Sequence, residues 1–218
     1  GNRKNIVIAE PAPLGRPIYK RVVLVGRPDL PALATLLEQA KRTNAPIRFA
    51  SPGAGTLSHF AGELLRLRTG APMIHVPYRG SVAALTDMAG QQVDVMFDAV
   101  VSAAPMIRSG RIKAIAVPET ARNPQMPDVP TLAELGVPDI VIRAWNTVFV
   151  PAATPADVQQ TLHAHVDAVL ATPAVADELR LKGLEVAGPT APPDFVERLR
   201  SESDLWRRTV QAAGISID

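Results

Sequence analysis

Residues 47–69 read IRFASPGAGTLSHFAGELLRLRT, and this stretch decides the fold. Its first part, Ile47–Ala50, is a short apolar segment typical of a buried strand. Leu57–Thr69 has the features of a helix, with a hydroxyl side chain available to cap its start and Gly70 after its end. Strand, glycine-rich loop 51–56 and helix in this order are the first unit of an α/β layer fold.

The same alternation continues on both sides of this unit. Apolar, β-branched segments predict further strands at Asn5–Ala9, Arg21–Gly26, Met73–Val76, Val93–Phe97 and Ile112–Val117, and Ile140–Val150 is extended. Helical spacing and end signals predict helices at Leu30–Arg42, Ser81–Ala89, Ala103–Arg108, Ala156–Ala171, Ala174–Lys182 and Pro193–Ala212. The Pro/Gly-rich stretch Pro11–Pro17 is expected to be a connection. Helices alternating with apolar strands indicate the α/β class with a largely parallel sheet.

Composition excludes several functions. The 218 residues are 47% hydrophobic, enough for one or two cores, and 23 Lys+Arg against 21 Asp+Glu give a net charge of only +2. The basic residues are scattered without interleaved aromatics, which argues against nucleic-acid binding.

The absence of cysteine excludes disulfides and thiol chemistry and is compatible with an oxidising compartment. No apolar run reaches the roughly 18 residues of a membrane span, and the chain starts without a signal peptide, so a secretion signal was removed or never present.

Two loops at strand-to-helix junctions are candidate binding sites. Glycines and a helix start favour an anion at loop 51–56, although a tight turn explains the same pattern equally well. In the second loop, Pro77–Ser81, Ser81 is placed to cap a helix, and Arg79 is either a carboxylate clamp or a solvated surface charge. Open α/β sheets bind ligands outside the carboxyl ends of their strands. The presence of two such loops at one end of a sheet therefore strengthens the interpretation of each as part of a binding site.

The titratable residues do not form a metal or catalytic motif. Asp98 follows a predicted strand and either orients a ligand hydroxyl or amine or caps the following turn. His59 lies within reach of the cleft, with a capping or packing role as an equal alternative. No histidine pair has metal-ligand spacing, and no serine has a nucleophile-elbow context, so metal, cofactor and catalytic residues are predicted to be absent. A Ser-His-Asp set assembled from distant residues stays open.

Several motifs together resemble the receptors of tripartite tricarboxylate transporters, also called the Bug family. They are Ser51–Thr56 with His59 and Ala61–Leu64, His75–Gly80, Gln92–Asp94 with Phe97 and Asp98, Pro105–Ile107, Gly110–Val117, Pro127–Thr131, Trp145 and Pro151–Pro155. No single motif is decisive. Their order and spacing over nearly the whole chain make the resemblance specific.

The resemblance implies a type II periplasmic binding protein with two α/β lobes, each with a mixed, mostly parallel sheet. Residues 28–139 would form the central lobe, and residues 1–27 with 140–218 the remaining part of the other lobe, whose N-terminal portion is missing. Hinge segments at Val22–Val25 and Ile140–Val150 would cross between the lobes. Family members usually begin with a further stretch containing a Pro-Pro-Gly-Gly-type loop, and this sequence has no such loop.

The implied function is a periplasmic receptor that captures a small organic acid and delivers it to membrane permease subunits, without cofactor or catalysis. The ligand-binding residues would be Ser51, Gly53, Gly55, Thr56 and His59 in one group, Tyr78, Arg79, Gly80 and Ser81 in another, and Phe97 with Asp98. The first group would bind one carboxylate, the second would hold the other end of the ligand, and the third would shape specificity.

The sequence also departs from the family pattern at two further places, and two other functions remain as alternatives. Pro118–Glu119 stands where small hydroxyl residues are common in the family, and Asn146, after Trp145, stands where the family often has an aromatic residue. The alternative functions are an α/β enzyme acting on a carboxylate and a sensor module that signals to a membrane partner. An exposed sheet edge or cleft wall would also favour a homodimer.

Overall fold

The computed structural model describes residues 11–188 and 192–215. Its strands are β1 Pro11–Lys20, β2 Val22–Gly26, β3 Ile47–Ser51, β4 Met73–Pro77, β5 Val95–Ala99, β6 Lys113–Ala116, β7 Ala144–Pro151 and β8 Leu184–Val186. Its helices are α1 Leu33–Thr43, α2 Leu57–Thr69, α3 Ser81–Ala89, α4 Val100–Arg108, α5 Ala156–Leu170, α6 Pro173–Leu181 and α7 Pro192–Ala213. The strand predicted at 5–9 lies outside the described residues.

A mixed five-stranded sheet with the strand order β4-β3-β5-β2-β6 is the centre of the fold. β3 pairs in parallel with β4 and with β5, whereas β2 runs antiparallel to β5 and β6. Four of the five strands therefore point the same way, and β2 is the exception. The predicted α/β class with a mixed, mostly parallel sheet is confirmed.

The predicted connection at Pro11–Pro17 is wrong, because these residues are part of β1. This strand lies between β7 and β8 in a three-stranded sheet. Proline cannot donate a backbone hydrogen bond but still accepts one, and the carbonyl of Pro17 accepts from the Ala187 amide at 3.0 Å. Partner strands more than a hundred residues away in sequence thus override the local turn signal.

The chain folds into two compact units. The larger contains residues 20–144 and the chain from 204 onward, and the smaller contains the chain up to residue 19 with residues 145–203. β2 belongs to the larger unit, because it is hydrogen-bonded on both sides within its sheet. The two hinged lobes stay a prediction.

The larger unit has a hydrophobic layer on each face of its sheet. β2 shows the alternation, since Val22 and Leu24 pack in one layer, and Val23 and Val25 pack in the other. All five residues of this strand are buried. A strand covered on both faces reads as a continuous apolar run, which is why the segment was recognisable in the sequence.

An ionic cluster around the buried Asp94 ties β3 and β5 together at the ends opposite the candidate loops. Asp94, which directly precedes β5, accepts hydrogen bonds from the Arg48 amide at 2.7 Å and from the Arg48 guanidinium at 3.0 Å. Arg27 Nε adds another at 3.0 Å. Burial alone would raise the pKa of Asp94, but the hydrogen bonds from Arg48 and the charges of Arg48 and Arg27 lower it below its ordinary value. Asp94 is thus a fully partnered structural carboxylate.

Helix α2 approaches β3 closely at Gly62. A Cβ atom at this position would clash with the ring of Phe49, whose side chain is buried in the core. Such an overlap requires the ring or the helix to move. Glycine at position 62 therefore sets the distance between the helix and the sheet that carries the candidate loops.

We expect Gly62→Ala to destabilise the protein, although alanine is normally the better helix residue. Overpacking costs roughly 1–3 kcal/mol and the helix gains only about 0.5–1 kcal/mol, so the free energy of unfolding should fall by about 1–2 kcal/mol. Gly90→Ala is the control, because its φ is −84° and its new Cβ would meet the nearest atom at an ordinary 3.5 Å. Urea unfolding of both variants measures this, and a Gly62→Ala protein as stable as the control would contradict the close packing.

Among the helices that the structure describes, none is both long and apolar enough to cross a bilayer.

Candidate functional site

Three strand-to-helix junctions meet at one edge of the five-stranded sheet. β3, β4 and β5 run in parallel and lead into α2, α3 and α4, respectively. The Tyr78 amide donates to the Ser51 carbonyl at 2.9 Å, and the Gly80 amide donates to the Pro52 carbonyl at 3.1 Å. The Ser81 hydroxyl donates to Asp98 Oδ1 at 2.9 Å. The loops singled out from the sequence are therefore in direct contact.

Several polar groups of loop 51–56 form hydrogen bonds within the loop or with His59 in the following helix. Ser51 Oγ accepts from the Gly53 amide at 3.2 Å, and the Gly55 amide donates to His59 Nδ1 at 3.1 Å. The Thr56 hydroxyl donates to the Gly53 carbonyl at 2.7 Å and caps α2 by accepting from the His59 amide at 3.4 Å. Gly55 has a φ of +74°, which favours glycine. These bonds hold the loop in one conformation.

Two open donors follow directly after the loop, at the start of α2. Within the described residues, the amides of Leu57 and Ser58 have no acceptor. They are the first two helical positions of α2, where backbone N–H groups point away from the helix and attract an anion. Sequence reasoning missed both residues, although their position directly after the cap Thr56 was a usable signal. Carboxylate binding by Ser51, Gly53, Gly55 and Thr56 stays a prediction.

A cavity of about 160 Å³ opens beside these amides. Three of the predicted site residues, Thr56, Phe97 and Asp98, line this cavity. The rest of its lining is mostly apolar. Its remaining lining residues are Val22, Pro52, Leu57, Ser58, Ala61, Ala99 and Ala144. Sequence reasoning missed Val22, Ala61 and Ala144, because no local pattern shows that an apolar side chain borders a cavity.

Asp98 is the most unusual polar group of the cavity. This residue is only 8% exposed. Oδ1 accepts from the Ser81 hydroxyl, whereas Oδ2 is buried without a partner among the described residues. Burial raises the pKa of Asp98, and the bonds from the Ser81 hydroxyl and the Ala99 amide partly oppose that rise. The expectation that Ser81 caps α3 is wrong, because Gly80 occupies the cap position and the Ser81 side chain bonds to Asp98.

The second predicted group supports the site from outside the cavity. The Tyr78 hydroxyl donates to Asp87 Oδ2 at 2.9 Å, and burial together with this bond raises the pKa of Tyr78. Arg79 is exposed and does not line the cavity. Ligand contacts by Tyr78, Arg79 and Gly80 stay a prediction.

Two stacked histidines lie beneath the loop. The rings of His59 and His75 are 3.7 Å apart and inclined by 10°, and the ring of Phe49 stacks at 5.1 Å from His75 and 6.3 Å from His59. Burial lowers the pKa of His59, and burial together with the neighbouring His59 lowers the pKa of His75 to about 4. Both rings are therefore neutral near pH 7, so that His59 Nδ1 can accept the Gly55 amide. The described residues contain no cluster of His, Asp or Glu that could hold a metal ion.

Ser51 and His75 also resemble a nucleophile and its base, since Ser51 Oγ lies 2.6 Å from His75 Nε2. Ser51 is fully buried, however, with 0% exposure. A substrate could not reach its hydroxyl without displacing the loop. The pair is better explained as an anchor of the loop than as a catalytic dyad.

Protonation of His75 in acid should lower the stability of the folded protein. Its pKa is about 4 in the folded protein against an ordinary value of 6.5, so its contribution to stability is complete above pH 6.5 and is lost as the pH falls toward 4. We expect the melting temperature to drop across this range and to drop less in His75→Phe, which keeps the ring but cannot titrate. An NMR titration of the His75 ring with an inflection near 6.5 would contradict this expectation.

Known proteins resemble this chain in sequence and in structure. Residues 16–215 match the family described as "Tripartite tricarboxylate transporter family receptor". Among curated relatives, the "UPF0065 protein in tcbD-tcbE intergenic region" of Pseudomonas sp. (strain P51) is 36% identical over 179 residues, which are 82% of this chain and 53% of that protein. The chain thus spans about half the length of this relative.

The solved structures that it resembles include ligand complexes. "R. palustris Rpa4515 with adipate" superposes with a TM-score of 0.79 at 28% identity, over 95% of this chain and 70% of that one. "MatC (Rpa3494) from Rhodopseudomonas palustris with bound malate" has a TM-score of 0.78 at 29% identity, with 92% and 69% covered. "Periplasmic binding protein BugD" has a TM-score of 0.77 at 30% identity, with 94% and 70% covered.

Proposed function

The chain belongs to the tripartite tricarboxylate transporter receptor family, and on this premise we propose that it captures a small organic carboxylate in the periplasm for a transporter of that type. The observation that carries the proposal is the pair of open amides at Leu57 and Ser58 beside a small cavity. Backbone amides at a helix start bind a carboxylate without a basic side chain.

The relatives support both the ligand class and the compartment. Two of the similar structures hold the dicarboxylates adipate and malate, and a third is named a periplasmic binding protein. A chain without cysteine suits the periplasm, where thiols are oxidised. Delivery to membrane permease subunits is the part of the proposal that rests on the family alone.

Capture by a receptor of this kind involves closure of two lobes around the ligand. A ligand shifts such an equilibrium only through contacts that differ between the open and closed states. The loop 51–56 and the amides of α2 would form the fixed part of the site, because hydrogen bonds within the protein hold the loop. In this proposal Tyr78, Arg79, Gly80 and Ser81 belong to the same wall.

Ligand binding is expected to raise the melting temperature of the protein. At a hundredfold excess over Kd the stabilisation is about 2.7 kcal/mol, which corresponds to roughly 5–10 °C for a chain of this size. The measurement is a thermal-shift screen with mono-, di- and tricarboxylates on this 218-residue chain and on the product of the complete gene. Matched neutral amides of the same acids are the controls, and the proposal fails if no acid stabilises either protein.

The Leu57 amide can be removed without breaking the helix. Leu57 is the first helical residue, a position that tolerates proline, and Thr56 before it already has the extended backbone that a following proline requires, with φ −81° and ψ 161°. Leu57→Pro deletes the N–H group, and Leu57→Ala is the control that loses the side chain but keeps the amide. A hydrogen bond to a charged group contributes about 1.5–3 kcal/mol, so we expect roughly 10- to 100-fold weaker binding in Leu57→Pro than in Leu57→Ala. Equal affinities by calorimetry would show that this amide does not bind the acid.

A further inference from the structure

Asp98 has an acceptor atom that nothing in the described structure satisfies. Oδ2 is buried and unpaired, although Asp98 borders the cavity beside Leu57 and Ser58. Buried polar atoms without a partner are rare in native proteins and call for an explanation, such as a group that binds there. The terminal torsion of an aspartate is soft, so a small rotation can turn either oxygen toward the cavity.

The groups that form hydrogen bonds with the Asp98 carboxyl group use it as an acceptor. Burial raises the pKa of Asp98, but the two groups that bond to its carboxyl, the Ser81 hydroxyl and the Ala99 amide, are both donors and both favour the ionised form. A neutral acid would need an acceptor for its own proton, and no described residue provides one to Oδ2. The unused oxygen therefore suits a ligand group that donates a hydrogen bond.

The cavity would disfavour a second ligand carboxylate at this position. None of the described residues that line it is a lysine, arginine or histidine. Two carboxylates that meet in apolar surroundings repel each other unless one takes up a proton. A plain diacid would have to place its second carboxylate elsewhere, whereas a hydroxyl or ammonium group could bind Asp98 directly.

The carboxylate site and Asp98 lie close together. The Ser58 hydroxyl donates to the Phe97 carbonyl at 2.5 Å, and Phe97 directly precedes Asp98 in β5. One small molecule could thus reach the Ser58 amide with its carboxylate and Asp98 with a neighbouring substituent. The small cavity volume of about 160 Å³ also favours a compact ligand.

We infer that the ligand is a carboxylic acid with a hydroxyl or ammonium group on the carbon next to its carboxylate, and that Asp98 selects it by accepting a hydrogen bond from that group. This inference rests on the proposed function, because it assigns the ligand class of the same site. It makes Asp98 a specificity-determining residue.

Matched acids test the inference by isothermal titration calorimetry at pH 7. The set succinate, malate and aspartate keeps the carbon skeleton and changes only the substituent, and propionate, lactate and alanine repeat the comparison with one carboxylate. We expect malate or aspartate to bind at least tenfold more tightly than succinate, and lactate or alanine more tightly than propionate. Malate against aspartate separates a hydroxyl preference from an ammonium preference.

Asp98→Asn replaces the unpaired acceptor Oδ2 with a nitrogen that donates hydrogen bonds. With the side-chain oxygen still accepting from Ser81, the amide nitrogen would face the ligand as a donor, so the preference for malate or aspartate should vanish and succinate should bind no more weakly than before. Asp128→Asn makes the same change of charge on an exposed side chain outside the cavity and should leave the ratio unchanged. If Asp98→Asn does not fold, Asp98→Ser, which is also neutral, should abolish the preference.

The outcomes separate this inference from the proposed function. Succinate binding as tightly as both malate and aspartate would overturn the role of Asp98 and leave the receptor function standing. A preference that survives in Asp98→Asn or Asp98→Ser would also overturn it. If no acid binds to the wild-type chain or to the product of the complete gene, the receptor function fails, and the ligand class inferred from it fails too.

Discussion

The parallel pairing of β3 with β4 and β5 is the constraint on which the rest of the structure depends. Parallel neighbours end at the same edge of a sheet, so the three turns into α2, α3 and α4 must lie side by side. The register that places Ser51 beside Pro77 allows the backbone bonds between the two loops. The site exists because of this alignment and not because of any one motif.

Two aspartates at opposite ends of β5 show how position determines the role of a carboxylate. Asp94 precedes the strand, is bound by Arg48 and Arg27, and has a lowered pKa. Asp98 lies at the other end of the same strand, has a half-satisfied carboxyl group, and has a raised pKa. The first stabilises the sheet, and the second borders the cavity. A binding site is where a structure can leave such a group incomplete for a ligand to satisfy.

The loops are rigid for reasons that also decide which atoms remain open. Within loop 51–56 the amides of Gly53 and Gly55 already donate to Ser51 and His59. A loop that satisfies its own donors keeps its shape without ligand but has fewer groups to offer. The first turn of α2, directly after the loop, adds unsatisfied donors, because helix geometry leaves its amides without intrahelical partners.

Local patterns in the sequence were sufficient for the α/β class, for the alternation of strands and helices and for the family resemblance. Apolar strands, helix caps and glycine ends act over a few residues, so they can be recognised without knowing the fold. The same patterns failed at Pro11–Pro17, where pairing with β7 and β8 turned a proline-rich stretch into a strand. They also could not show that Val22 and Ala144 border a cavity with Asp98, or that one oxygen of Asp98 has no partner. Burial and hydrogen-bond satisfaction depend on residues far apart in the chain, so only the tertiary structure decides them.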